Sequence, residues 1–592
     1  MRGPDGLMIL GAVGWLAVSP FPAAESGFVM SMQAQPWPEV PALTARVARA
    51  AFPKGSRPIR ARDELGAWCA DADFAGCYQV AGRPGISPAQ LAMVCVLQFT
   101  EDLTDRQAAD AVRGRLDWKY CLGLDLDDAG FDFSVLSEFR DRLVAGGAER
   151  LVFDLLLGQL TGRGLVGAGG RQRTDSTHVL ARIRQLSRLE LAGESVRAAL
   201  EALAAAAPGW LATVIDASWQ EAYGQRIDQI RLPASQAKRD ALAVRYGRDG
   251  YRLLAAVRQP GAPGWARDLP AVAVLRQVWV QQYYREVSDG GEKVIWRDAE
   301  QGLPPGRARI VSPYDTDARY SQKRATRWEG YKAHLTETVS DGAGDDPVTG
   351  RPAVPNLITS VATTPAPVTD HQMTGPVHDS LEDRQLTPGE HLVDAGYASA
   401  DQLLAARARG ITLLGPLLAA ATPQARAGGY TTAAFTIDWD HQQVTCPQGQ
   451  HSASWTRYDD RGRDSILVKF PPAACRPCPA RAQCTTSASG RQLGLRPREI
   501  HEAVTAARAE QDTTQWKARY AARAGVEGTI AQATAVTGLR RARYTGLAKT
   551  TLQHALAATA INLTRLDAWW THTPLDRRRT THLQRLDLAP AA

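Results

Sequence analysis

Three acidic residues occupy places where a carboxylate is expensive unless something holds it. Asp175 lies inside the extended run RTDSTHVLA from Arg173, among Thr174, Ser176 and Thr177. Asp394 closes the apolar run His391-Leu392-Val393 and is followed by Ala395-Gly396-Tyr397. A carboxylate within or just after a core strand is costly to bury unless it is paired or coordinated, and strand ends are where open sheets place their ligands. The third acid, Glu527, shares one helix face with Tyr520 and Arg523, which precede it at helical spacing; Arg523, one turn before it, is placed to orient it. Hard oxygen ligands from two strands and a helix suit Mg²⁺, which takes few protein carboxylates and keeps water or phosphate oxygens. Taken singly, each aspartate reads more simply as a cap or a salt-bridge partner. Asp370, in VTDHQ, rivals Asp394, but Pro365 and Pro367 put it in a loop.

A second cluster is made of thiols. Cys446, Cys475, Cys478 and Cys484 are spaced C-x28-C-x2-C-x5-C. A C-x2-C pair can take one face of a tetrahedral Zn²⁺ and the outer two can complete a structural four-thiolate site, with His441 or His451 as substitutes. The alternative is a set of reduced thiols in a loop-rich insertion. Cys69, Cys77, Cys95 and Cys121 are scattered and read as core or incidental.

The elements that must position these groups are partly legible. Ser87-Pro88-Ala89-Gln90 and Thr104-Asp105-Arg106-Gln107 are helix starts with capping residues. The first opens the buried-looking helix LAMVCVLQF; the second opens a helix with Ala108, Ala111, Val112 and Leu116 at helical spacing. The pair reads as a helix-turn-helix or as an ordinary helix pair, and Arg106, Arg113 and Arg115 make the second helix the candidate for base readout. A third helix starts at Ser134 and ends at Gly146-Gly147. Beyond Gly162 the texture changes. Short β-rich runs begin at Arg173, Gly330, Asn356, His391 and Ile411 and alternate with helical or loop stretches, which predicts a mixed α/β sheet. Leu186–Ala207 is helical, 208–310 mixes helical pieces with Pro/Gly breaks, 421–500 is Gly/Pro/Thr-rich, and His501–Leu566 is helical again. The expected organisation is an N-terminal helical, DNA-binding domain over 40–160, an α/β domain over 165–566 interrupted at 186–310 and 421–500, and a basic tail over 567–592.

The chain has 592 residues, 22% charged and 44% hydrophobic, which excludes wholesale disorder, collagen and a coiled-coil rod. Eight cysteines are too few for a disulfide scaffold. Of the net charge of +7, most sits beyond Gly528, where nine Lys/Arg face three Asp. A basic end suits a polyanion such as nucleic acid, or is simply a solvated surface. Residues 1–31 carry Arg2, the apolar run Leu7–Val18 and then PFPAAES, the grammar of a signal peptide. We read them instead as a mis-started extension upstream of Met30 or Met32, because the paired-spacing cysteines suit a reducing compartment and nothing downstream looks secreted; the expectation is a cytoplasmic, nucleoid-associated protein with no membrane span. No GxSxG elbow, HExxH or P-loop supports a different hydrolase.

The ordered set Asp175, Asp394, Glu527 resembles the DDE triad of bacterial insertion-sequence transposases with the RNase H-like fold. YAARAGVE, from Tyr520, is similar to the Tyr-x2-Arg-x3-Glu signature of that superfamily, and the phrases from Ala318, His391 and Gly538 and the helical stretch from Ser87 resemble the same branch over roughly residues 40–566. The lysine usual seven positions after the glutamate is Thr534 here, leaving Arg540, Arg541 or Lys549 to take its DNA contact. The resemblance implies Mg²⁺-dependent cleavage at element ends and strand transfer into target DNA. Two ions about 3.5–4 Å apart would serve the reaction, Asp175 bridging both and Asp394 and Glu527 each holding one. It further implies that DNA is held at terminal inverted repeats and target by a homodimer in the synaptic complex. Arg540, Arg541, Arg543 and Lys549, with Lys323, Arg324, Arg327 and Lys332 on the other side, become candidate phosphate contacts, beside Tyr520 and Arg523. The alternatives are a repressor-like DNA-binding remnant without catalysis and a metal-dependent nuclease that does not join.

Overall fold

The computed structural model describes residues 30–573 except 80–81, 231, 289–290, 299–301, 341–352 and 419–422. The apolar segment before Met30 and the tail from residue 574 lie outside the described residues. Two compact units are distinguished. One comprises Ile183–Thr316 with the short parallel strands Met30–Ser31 and Arg83–Pro84; the other comprises Met32–Tyr78, Gly85–Arg182 and the chain from Asp317 onward.

The second unit carries the three acids. Its N-terminal helices form where their caps predict. α1 (Pro88–Thr100) starts at Ser87, whose Oγ accepts from the Gln90 N–H at 3.2 Å, and it is buried along almost its whole length. α2 (Asp105–Gly114) starts in a full Thr104/Gln107 capping box and buries Ala108, Ala109, Ala111 and Val112. α3 (Ser134–Ala145) and α4 (Leu151–Gly162) complete the group.

The sheet follows. β1 (Arg171–Leu180) pairs antiparallel with β3 (Thr326–Val339) and parallel with β5 (Glu390–Val393), which pairs parallel with β6 (Thr412–Leu414). The outer side of β3 is shared between β2 (Arg319–Lys323) over its first residues and β4 (Ile358–Pro365) over the rest, both antiparallel. Four antiparallel strands, two of them sharing the outer side of β3, continued by two parallel ones make the expected mixed, RNase H-like sheet. β3 starts at Thr326 rather than Gly330, because Arg319–Lys323 folds back on it through a turn with Arg324 at φ 56°; the charged residues of that hairpin hide the alternation from view. At Gly330 any side chain would collide with the Val179 carbonyl, so only glycine lets β1 and β3 run this close. Tyr331, Ala333 and Leu335 are buried on one face of β3, and Lys332, His334 and Thr336 on the other. Both faces are therefore covered, as in a sheet sandwiched between helices.

One face is covered by α5 (Asp370–Asp383), the other by helices that follow the 421–500 region: α6 (Thr514–Ala521), α7 (Gly525–Thr537) and α8 (Leu547–Trp570). α8 packs on α1, α4 and β4. Its Asn562 behaves like an added strand residue at the edge, accepting from the Ile358 N–H at 2.7 Å and donating to the Ile358 carbonyl at 2.8 Å. Between β6 and α6 lie an antiparallel pair (Thr436–Asp438 with Gln443–Thr445) and a three-stranded sheet (Ser454–Asp459, Asp464–Lys469, Gln492–Leu495) around Phe435, Val444, Ile466, Val468, Phe470, Leu493 and Leu495.

The first unit is built on Arg188–Ala206, Gln236–Ala256 and Pro270–Gln282, with a hairpin of Tyr283–Ser288 and Gly291–Trp296. Its core holds Trp219, Tyr223, Tyr246, Trp279 and Tyr283. No helix among the described residues is long and apolar enough to cross a membrane.

Candidate active site

β1 distributes chemistry by its pleat. Arg173, Asp175 and Thr177 leave one face and meet the C-terminal helical segment: Arg173 donates to the Ala522 carbonyl at 2.5 Å, Asp175 takes the Arg523 guanidinium at 2.6 Å, and Thr177 Oγ1 accepts from Arg540 Nε at 2.9 Å. Gln172, Thr174 and Ser176 leave the other face. Thr174 Oγ1 meets Thr336 and His391 at 2.6 Å each, and Ser176 Oγ donates to Asp370 at 3.0 Å. The parallel pairing of β1 with β5 ends at Thr174 and Val393, so the next residues on the two strands are Asp175 and Asp394. Asp394 is half-buried and fixed in its turn by the Gly396 N–H at 2.8 Å.

Glu527 stands in the first turn of α7 and is exposed. Arg523 was expected to orient it and does pair with it at 3.2 Å, but it also pairs with Asp175 at 2.6 Å, so one guanidinium ties the strand acid to the helix acid. Burial pushes the Asp175 carboxyl above its ordinary range; Arg523 and the Ser176 N–H pull it down, and Asp394 pushes it up again. Tyr520 stacks on Trp516, with ring centroids 4.7 Å apart, and its hydroxyl feels Arg523 and all three acids. Among the described residues no group of three or more His, Cys, Asp or Glu side chains is drawn together closely enough to hold a metal ion. Like charges have no reason to converge without a cation between them, and here Arg523 supplies the positive charge.

Asp370 is not in a loop. It is the first residue of α5, behind a Thr369/Gln372 capping box. Its contact with Ser176 puts it on the face of β1 opposite Asp175, and Lys332 (3.3 Å) and Lys323 (3.5 Å) hold it. Burial raises its carboxyl, but the two ammonium groups outweigh burial and keep it below the ordinary range. Lys332 is buried and also donates to the Val368 carbonyl at 2.7 Å, so it belongs to this interior network rather than to a surface open to a phosphate. On the same face His334 meets the Tyr397 hydroxyl at 2.6 Å and His378 meets His391 at 2.8 Å, all buried.

Behind Asp175 lies a group the sequence reading passed over. Glu337, fully buried in β3, accepts from Arg173 at 2.7 Å, Arg565 at 2.6 Å and Thr529 at 2.6 Å. Burial pushes its carboxyl up, and the two guanidiniums more than reverse that. Thr529 lies on α7, two residues from Glu527, and Arg565 on α8, so this cluster seats the helix that carries the third acid. A Cβ at Gly525 would strike the Arg173 guanidinium, so α7 approaches β1 as closely as glycine allows. The clue was an acid inside a β-run, in GYKAHLTETVS.

The basic candidates divide. Arg540 and Arg541 are exposed beside the end of β1, where Leu180 bonds the backbone of 540–542. Arg543 is taken up by Asp102, the Leu103 carbonyl and the Phe99 ring, and Lys549 pairs with Asp141 at 2.6 Å. Arg106 stacks over Phe133 at 3.9 Å, and Arg113 pairs with Asp110 at 2.8 Å and donates to the Ala129 carbonyl. Arg115 pairs with Asp117 and Glu101. The four cysteines line one small cavity in the 421–500 region.

The mixed sheet, with an acid inside its central strand, a second just past the neighbouring parallel strand and a third on a following helix, is that of the class of proteins with an RNase H-like core. Two family models agree with that class: a transposase DDE domain matches residues 445–567 and a transposase domain (DUF772) matches residues 47–142. Both matches support an insertion-sequence DDE transposase. No curated protein and no solved structure matches it.

Proposed function

We propose that this transposase cuts DNA at the ends of its element and joins the freed 3′-hydroxyls to target DNA, with Asp175, Asp394 and Glu527 as its catalytic acids. The observation that carries the reading is the meeting of Asp175 and Asp394 at adjoining strand ends, with Arg523 linking Asp175 to Glu527. The donor set is hard oxygen, and buried Asp175 lies next to a second acid at the adjoining strand end; both fit Mg²⁺. Bound there, Mg²⁺ supplies activation of water and neutralisation of charge on the phosphodiester. Asp175, Asp394 and Glu527 would hold it. Arg523 keeps the strand acid and the helix acid in register. Arg540 and Arg541, at the end of β1, would hold backbone phosphates of the DNA. α2 is the candidate for reading the element's terminal repeats, and two copies of the chain would bring two ends together in the cell's cytoplasm.

The test compares wild type with Asp175→Ala on DNA carrying the element's ends, in Mg²⁺. Nicking and joining by wild type, with binding but neither reaction by the variant, is the expected outcome. Binding without cutting in Mg²⁺ or Mn²⁺ would identify a DNA-binding remnant, and cutting without joining a nuclease. Activity surviving in Asp175→Ala would move the site elsewhere.

A further inference from the structure

The strongest unassigned chemistry lies in the 421–500 region, away from the acids. Cys446, Cys475, Cys478 and Cys484 come from three separate turns, yet all four line one cavity of about 30 Å³, with Tyr430, Phe470 and Arg491 around it. A space of that size has room for an ion. All four are free thiols.

Two of the turns are shaped around sulfur. Cys446 directly follows the strand Gln443–Thr445 and opens the turn Pro447-Gln448-Gly449. The Gly449 N–H returns to the Cys446 carbonyl at 2.8 Å, Gly449 takes φ +77°, and the Gln450 N–H points at Cys446 Sγ at 3.4 Å. Cys475 ends the short helix Pro472–Cys475. Its Sγ accepts from the Arg491 N–H at 3.4 Å, next to Gly490 at φ +84°. Backbone N–H groups aimed at a sulfur stabilise it as a thiolate, the form that binds metal. Cys478 and Cys484 bracket the single turn Arg481–Cys484, and the Arg491 side chain donates to the Cys484 carbonyl at 2.8 Å.

From this geometry we infer that Cys446, Cys475, Cys478 and Cys484 form a four-thiolate site for a structural soft divalent ion of the zinc class. The sulfurs line the cavity without meeting at ligand distance of a common point; four thiols gain nothing by converging until a cation replaces their protons. Rotation about their Cα–Cβ bonds would bring the sulfurs together around an ion. Such a clip has a physical purpose here. The region's apolar core is only Phe435, Val444, Ile466, Val468, Phe470, Leu493 and Leu495, and cores of that size are commonly completed by a staple. The ion would join the end of the strand pair to the turns preceding Gln492–Leu495. This site is independent of the carboxylate site and of the reaction proposed for it.

The experiment uses the full chain, purified without chelator from cells grown with added zinc. The expected result is about one zinc per chain by elemental analysis. Replacement by Co²⁺ should give the intense thiolate-to-cobalt absorption and tetrahedral visible bands. Zinc content should fall at least several-fold in the double variant Cys475→Ser/Cys478→Ser and stay at the wild-type level in Cys77→Ser, whose thiol lies outside the cavity. Limited proteolysis should cut the 430–495 stretch faster after chelation. Wild type without zinc and without a cobalt spectrum would overturn the assignment whether or not the variants fold, and so would disulfides among these cysteines in the freshly purified chain.

Discussion

Replacing Glu337 by glutamine isolates how the helix bearing Glu527 is held. The carboxylate is fully buried and bonds two guanidiniums whose side chains are 10% and 7% exposed, Arg173 and Arg565. Glutamine keeps the shape and removes the only negative charge between them, leaving two buried cations facing each other. Breaking a buried pair by removing one partner costs about 3–5 kcal/mol, mostly for the uncompensated charge left behind. The double variant Glu337→Gln/Arg565→Met removes one of those cations again. It should be less destabilised than the sum of the two single variants by about 0.5–3 kcal/mol, the range for directly coupled neighbours. The assay is denaturant unfolding followed by tryptophan fluorescence, with limited proteolysis identifying the α7–α8 region as the part released first. Because Thr529 shares the Glu337 carboxylate, cleavage of element-end DNA should also fall in Glu337→Gln under conditions where the chain is still folded. A Glu337→Gln chain that unfolds within about 0.5 kcal/mol of wild type, the range of ordinary surface changes, would refute the reasoning. So would strict additivity in the double variant.

Acid should destabilise the fold well above the carboxylate range. Burial holds His334 and His378 down to about 4 and His554 to about 3, and keeps His391 well below the ordinary 6.5. The unfolded chain therefore takes up protons that the folded chain refuses. Stability is complete above pH 6.5 and falls as pH drops toward 4, by up to about 1.4 kcal/mol per pH unit for each histidine; unfolding free energies that stay flat between pH 7 and pH 5 would contradict this. Glu337, held low, adds its loss only below the ordinary glutamate value near 4.5. Gly525→Ala should cost about 1–3 kcal/mol by overpacking against the Arg173 guanidinium and should reduce cleavage, read by the same unfolding and nicking assays. Asn562→Leu should cost about 1–3 kcal/mol for each of the two Ile358 backbone groups it leaves unpaired, and hydrogen exchange should rise along β4 first.

The strands carrying chemistry were legible because they interrupt polar sequence with short β-branched runs: β1, β4, β5 and β6 begin within two residues of the positions read from sequence. Capping residues gave α1 and α2. What stayed hidden was long-range pairing. Arg523 lies one helical turn from Glu527, so that contact is written locally, but its bond to Asp175 spans 348 residues and no pattern announces it. Asp370 was misplaced because Pro365 and Pro367 read as a loop, while Thr369 and Gln372 were already a helix cap. Lys332 looked like a phosphate contact because a lysine in a half-charged stretch usually faces water; only the partner on α5 shows that it points inward. The 208–310 stretch resisted reading because Gly247 and Gly250 look like breaks, yet they lie inside the long helix Gln236–Ala256, which runs through them.

The long helix Leu547–Trp570 has a consequence for how the chain is made. α1 and α4 present their apolar faces to it, so they emerge from the ribosome without the partner that covers them. The start of α8 lies 447 residues after the end of α1, and at 5–20 residues per second that interval is roughly 20–90 seconds. During that time the N-terminal helices are unfinished and adhesive. A copy cut short by a premature stop before residue 547 would leave those faces permanently bare. It would be a substrate for proteases and chaperones rather than a free-standing competitor for the element's ends.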